Sequence, residues 1–134
     1  MKTSKIVYNG KLRTEATHLR SGKTIITDAP VDNNGKGEAF SPTDLLATSL
    51  GCCMVTIMAM AADKNNINID GTSIEITKIM AANPRRVSEI IVEFTMNGNQ
   101  YSDKEKELLE HAAHTCPVAL SLSAELKQTV IFNY

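Results

Sequence analysis

The chain has 134 residues, one domain's worth, and is long enough to bury roughly two thirds of its unfolded surface without staples. Hydrophobic residues make up 43% and charged residues 22%, which excludes wholesale disorder. Basic and acidic residues number 14 and 15, for a net charge of −1, so no broad electrostatic footprint for nucleic acid or an anionic membrane is present. The lack of Trp and the 4% aromatic content argue against carbohydrate or base-stacking platforms. Three cysteines, two of them adjacent, make a poor disulfide framework but leave room for a reactive pair.

The N-terminus has no apolar h-region or small-residue cleavage site, so the chain is expected to be cytoplasmic, where thiols stay reduced. Lys5–Tyr8 and Lys11–Ala16 read as strands joined at the hairpin dipeptide Asn9-Gly10, and Lys23–Thr27 reads as a third strand. Lys2, Lys5, Lys11, Arg13, Arg20 and Lys23 face only Glu15 in this region. Such a run is usually a solvated sheet face, yet it also offers a cation to a site. Asp28 to Phe40, with Pro30, Asn33, Asn34, Gly35 and Gly37, predicts a loop.

Ser41-Pro42-Thr43-Asp44 is a helix start: Ser41 caps, Pro42 suits the first turn and Asp44 completes a capping box. The helix should run to about Ala62. Its stretch Leu45–Ala62 approaches membrane length, but it holds Thr48, Ser49, Gly51, two Cys and Thr56 and is flanked by Asp44 and Asp63. That composition fits a central helix covered on most sides better than a membrane span. Strands are predicted over Thr72–Met80 and Val87–Met96, turning at Asn83-Pro84. Ser102 to Glu105 caps a second helix reaching about His114, with Leu108, Leu109, Ala112 and Ala113 on its apolar side. Thr115-Cys116-Pro117 ends it, a short helix covers Val118–Leu122, and Val130–Tyr134 is a last strand. The order gives an α+β class and one domain over residues 1–134.

Cys52 and Cys53 lie mid-helix. At 100° per residue Cys53 shares a line with Leu46, Leu50, Ile57 and Ala61, and Cys52 points roughly the opposite way. Adjacent helix positions do not face each other, so a Cys52–Cys53 disulfide is not expected. Either cysteine is equally readable as a small buried hydrophobe. Cys116 precedes Pro117 and so takes a helix cap position, where free amide donors and the dipole favour thiolate. A packing role is the alternative, and nothing in the spacing brings Cys116 near Cys53. His18, His111 and His114 form no zinc spacing, so no metal is expected. His111 and His114 fit dipole compensation at a helix end, and Arg85-Arg86 fits a solvated turn. No cofactor motif is present.

Ser41-Pro42-Thr43-Asp44-Leu45, leading through Gly51-Cys52-Cys53, resembles the Asn/Ser-Pro…Cys helix of the OsmC/Ohr family. His114-Thr115-Cys116-Pro117-Val118, followed by a short helix and a terminal strand, resembles that family's second motif. The likeness runs from Asn9-Gly10 to Tyr134 and is strongest to a short subgroup carrying the Thr-Asp-Ala-Pro and Ser-Pro-Thr-Asp-Leu-Leu-Ala stretches. It implies an intertwined homodimer in which long central helices are wrapped by curved antiparallel sheets and each chain contributes to both sites. The implied activity is thiol-dependent reduction of organic hydroperoxides and, more weakly, hydrogen peroxide, in oxidative stress defence.

By register from Ser41-Pro42, the resemblance makes Cys53 the peroxidatic residue, Cys116 the resolving one and Cys52 a bystander. An external dithiol would reduce the resulting disulfide. The family's activating arginine falls on Arg20, with Arg13 as second choice. Its glutamate position is Thr43, so the nearest carboxylate is Asp44, a departure that bears on potency rather than fold. Leu46, Leu50 and Ile57 are expected to line an apolar pocket for bulky hydroperoxides. The alternative function is a non-catalytic dimer holding a small apolar ligand in the same cleft.

Overall fold

The computed structural model describes all residues, Met1–Tyr134. Two compact units are present, Met1–Leu46 and Ala47–Tyr134, with the boundary inside one long helix.

In the first unit β1 (Ser4–Gly10), β2 (Arg13–His18) and β3 (Thr24–Asp28) form an antiparallel meander in that order. The hairpin turns at Lys11-Leu12, one residue pair later than the Asn9-Gly10 expectation: Gly10 pairs with Arg13, and Lys11 and Leu12 take φ of 54° and 64°. Two successive left-handed residues are what a two-residue hairpin of native twist requires. The tertiary bonds Leu12 N–H to Tyr8 Oη (3.2 Å) and Ala29 N–H to Leu12 O (3.1 Å) hold the non-glycine residues there.

Residues 29–40 are a loop as expected, with one 3₁₀ turn at Val31–Asn33. The loop is folded tightly on itself. Asn33 and Gly35 N–H donate to Pro30 O (2.9 Å each), and Gly37 N–H donates to Ala29 O (3.2 Å). A Cβ on Gly35 would fall 1.7 Å from Ala29 O, so glycine is obligatory. The loop is tied to the sheet by charge. Arg13 and Asp28 sit opposite each other in the β2–β3 register. Arg13 Nε and Nη2 each reach an Asp28 carboxylate oxygen at 2.7 Å, and Nη2 also reaches Glu38 Oε1 at 3.0 Å. Glu38 N–H donates to Asp28 Oδ2 (3.2 Å). Asp28 is 1% exposed, yet Arg13, chiefly by hydrogen bonding, holds its carboxyl below the usual carboxylate range against the opposing effect of burial. Apart from these polar groups the unit is open: its buried residues are Thr27, Asp28 and Ser41, and no apolar side chain in it is buried.

The second unit holds most of α1 (Pro42–Lys64) with β4 (Ser73–Ala81), β5 (Arg86–Thr95), α2 (Asp103–His114), α3 (Pro117–Ser121) and β6 (Lys127–Asn133). The sheet order is β4-β5-β6, antiparallel then parallel. A parallel neighbour needs a long crossover, and α2 and α3 supply it. In β5 the buried residues Ile90, Val92 and Phe94 alternate, whereas Val87 lies three positions before Ile90. The register shifts there, and Ser88 Oγ bonds Ile79 O at 3.1 Å, the signature of a bulge that realigns the inward face.

The α1 start is a reciprocal box, Asp44 N–H to Ser41 Oγ (3.0 Å) and Ser41 N–H to Asp44 Oδ2 (2.9 Å). The α2 start repeats it with Ser102 and Glu105. By length and composition α1 is apolar enough to cross a membrane. Its Ala47, Leu50, Gly51, Met54, Met58 and Ala62 are buried, and the apolar members of this stripe join a core with Ile90, Val92, Phe94, Leu109 and Ala113. This chain therefore covers one face of α1 rather than most of it: Cys52, Thr56 and Met60 are exposed.

Two stability predictions follow from the packing and the charge pair. A Cβ on Gly51 would meet Ile76 Cδ1 at 2.7 Å, so Gly51→Val is expected to cost about 1–3 kcal/mol in urea unfolding through overpacking against β4. A wild-type midpoint would contradict this contact. Because the Asp28 carboxyl is depressed in the fold, its stabilisation is present at neutral pH and is lost as pH falls from the unfolded carboxylate value through the lower folded one. Asp28→Asn should therefore melt lower than wild type at neutral pH, with the gap closing in strong acid. A gap independent of pH would contradict the ion pair.

Candidate functional site

Cys53 lies beside the buried stripe of α1, half-exposed and packed against the core. The stripe runs through Ala47, Leu50, Met54, Met58 and Ala62; it shares Leu50 with the line on which periodicity placed Cys53 but elsewhere takes the residues next to Leu46, Cys53, Ile57 and Ala61. Cys53 is thus at the edge of the core rather than at its centre. Cys52 is exposed on another side, along a shallow apolar groove formed with Thr48, Gly51, Val55, Ile74 and Ile76.

Cys116 is brought to Cys53 by the break between α2 and α3. Thr115 ends α2: its N–H donates to Ala112 O (3.2 Å), and its Oγ1 donates to His111 O (3.0 Å) and Ala112 O (3.2 Å). Pro117 then restarts the helix in a new direction, because its fixed φ suits a first turn and it lacks an N–H. Cys116 is left as the cap of α3, extended (φ −68°, ψ 147°), with its Sγ accepting the Ala119 N–H at 3.3 Å. The sulfur is completely buried, and the Cys53 thiol is near enough to act on its titration. Burial is the largest influence and pushes the Cys116 thiol above its ordinary value; the Ala119 amide pulls the other way, and Cys53 adds to the rise. Both thiols are free.

Such an arrangement provides two neighbouring thiols, one partly open to solvent and one sealed and protonated at neutral pH. It is suited to two-step thiol chemistry in which the open residue reacts first.

The other expected site residues are placed as follows. Leu50 is fully buried in the core, whereas Ile57 is half-buried and Leu46 is 39% exposed. Asp44 closes the α1 capping box in the first unit. Arg20 is exposed on the turn between β2 and β3 and is held by no carboxylate. Arg13 is committed to Asp28 and Glu38. Asp28 and Glu38 were not singled out from sequence, although both lie in the Thr-Asp-Ala-Pro to Ser-Pro segment.

Comparison with known proteins gives the family. The family model described as OsmC-like protein matches residues 35–130. A solved structure from Psychrobacter arcticus 273-4, provisionally described as an osmotic stress induced and detoxification response protein, is 55% identical. The match covers 99% of this chain and 96% of that one, with a TM-score of 0.96. An organic hydroperoxide resistance protein OsmC from Legionella pneumophila shares the fold at 14% identity, covering 100% and 98% of the two chains (TM-score 0.78). OhrB, the organic hydroperoxide resistance protein of Bacillus subtilis, does so at 16% identity and 98% of each chain (TM-score 0.70). None of the curated proteins compared with the chain matches it. The α+β architecture with its two sheets is that of these structures, and the chain belongs to the OsmC-like family.

Proposed function

We propose that the protein is a homodimeric, thiol-dependent peroxidase acting on organic hydroperoxides in the cytoplasm. The nearness of half-exposed Cys53 and buried Cys116 is the observation that carries this reading. Cys53 thiolate attacks the distal peroxide oxygen, the O–O bond breaks, and the alcohol leaves after taking a proton, which makes Cys53 a sulfenic acid. Cys116 then condenses with it: an S–S bond forms, the sulfenate S–O bond breaks and water is released. An external dithiol returns both thiols by exchange. The order of events suits the burial, since a thiol raised in pKa is a poor first nucleophile. Arg20, exposed on the turn after β2, is the cation that the family resemblance assigns to activation. Leu46 and Ile57 keep exposed apolar surface for the substrate chain, and the named hydroperoxide resistance relatives support that substrate class.

The second copy is inferred from the first unit. Forty-six residues that bury no apolar side chain have no core of their own. Ile6, Ala16 and Ile25 form one row across β1–β2–β3 in register, with Ile6 65% and Ile25 53% exposed. The uncovered face of α1 likewise leaves apolar surface for a partner. The alternative, a non-catalytic dimer holding an apolar ligand, is favoured by Thr43 at the family's glutamate position.

Two experiments test the reading. With cumene hydroperoxide and excess dithiol, Cys53→Ser should fall to the uncatalysed rate, while Cys116→Ser should complete one turnover and leave a trappable sulfenate. Full activity in Cys53→Ser would reject the peroxidase and leave the ligand-holding dimer. In sedimentation the wild type should run at twice the chain mass, and the pair Ile6→Asp with Ile25→Asp should shift it to monomer. A wild-type monomer would remove the dimer from the account.

A further inference from the structure

Resting on the peroxidase reading, we propose that Gln128 is a positioning residue for the resolving thiol: it pins the α3 turn so that the Ala119 amide stays aimed at Cys116 Sγ. The helix α3 has five residues, far below the roughly 12–15 at which an isolated helix becomes even marginal, so its shape must come from outside. Its bonds include Leu120 N–H to Cys116 O (3.1 Å) and Ser121 Oγ to Pro117 O (2.7 Å). Carbonyls near a helix end lack intrahelical partners. For Ala119 the partner is Gln128, whose Nε2 donates to Ala119 O at 3.0 Å. Ala119 N–H in turn donates to Cys116 Sγ at 3.3 Å. Gln128 is mounted on β6 opposite Ile90 of β5, and Ile90 is fully buried, so the anchor is rigid. The chain of bonds runs from the sheet, through one side chain, to the amide that stabilises the Cys116 thiolate.

In the resolving step Cys116 loses its proton and its sulfur displaces hydroxide from the Cys53 sulfenic acid, with proton and hydroxide leaving as water. The group that must become charged is buried, and the Ala119 amide is its principal stabiliser. Cys53 on α1 is the titratable side chain that acts on it; Ala119 and Val118 contribute backbone N–H groups only. If Gln128 lets go, the amide loses its aim, the thiolate fraction at a given pH drops and resolution slows. Raising the pH compensates, because the thiolate fraction climbs with pH below the thiol's pKa.

The test gives the reduced dimer one equivalent of cumene hydroperoxide, quenches at intervals across a range of pH, and measures sulfenate and disulfide by mass. Gln128→Met keeps the size and removes the donor; Gln128→Lys restores one. For Gln128→Met the expected result is a resolving rate lower by about five-fold at neutral pH, one hydrogen bond's worth, with its pH profile displaced upward. Sulfenate formation should be unchanged, and Gln128→Lys should lie near wild type. A Gln128→Met protein with the wild-type rate and profile would overturn this inference alone, as would equal slowing in both variants, which would indicate packing. Absence of any Cys53–Cys116 disulfide in the wild type would overturn the peroxidase reading with it.

Discussion

A helix that is apolar on every side must be covered on every side, and a single copy of this chain covers only one face of α1. Met54 and Met58 press into the core with Ile90, Val92, Phe94 and Leu109, while Cys52, Thr56 and Met60 remain exposed. The N-terminal meander repeats the problem, presenting Ile6 and Ile25 with nothing buried behind them. What it does have is polar order: the Arg13 bridge to Asp28 and Glu38 and the glycine-tight loop give it a defined shape without a core. A preshaped but uncored sheet and a half-covered helix are two deficits that the proposed second copy would meet. The proposed functional unit is therefore larger than the folded chain.

The position of the thiols follows from the same constraint. Cys53 sits where the covered face of α1 gives way to the uncovered one, so it is partly open. Cys116 is driven inward by the helix break at Pro117 and is sealed. Desolvation and a backbone donor then act on Cys116 in opposite directions. Asymmetry between two neighbouring thiols is what divides a reaction into an attacking and a resolving step, and here it arises from burial depth rather than from a charged neighbour on Cys116.

Local chemistry made much of the fold legible. The Ser-x-x-acid boxes at Ser41 and Ser102 start helices where expected, and the Cys116-Pro117 step separates two of them. What depended on distant partners was less readable. The hairpin turn moved to Lys11-Leu12 because tertiary bonds from Tyr8 and Ala29 hold left-handed residues that propensity disfavours. The buried stripe of α1 shares only Leu50 with the expected line and otherwise takes the residues next to it, since periodicity without a known neighbour leaves its phase open. Arg13, Asp28 and Glu38 meet only through strand register and loop folding, and the parallel β6 only through a crossover of two helices. The Cys53 and Cys116 pairing lay beyond residue spacing altogether, at 63 positions apart; it was reachable only from the family resemblance.

The most direct measurement is a count of free thiols by mass spectrometry after the reduced protein meets a single equivalent of an organic hydroperoxide. The account predicts that each reacted chain loses two thiols to a Cys53–Cys116 cross-link and keeps Cys52 alkylatable. Three alkylatable thiols per chain with the hydroperoxide unconsumed, or oxidation centred on Cys52, would contradict it.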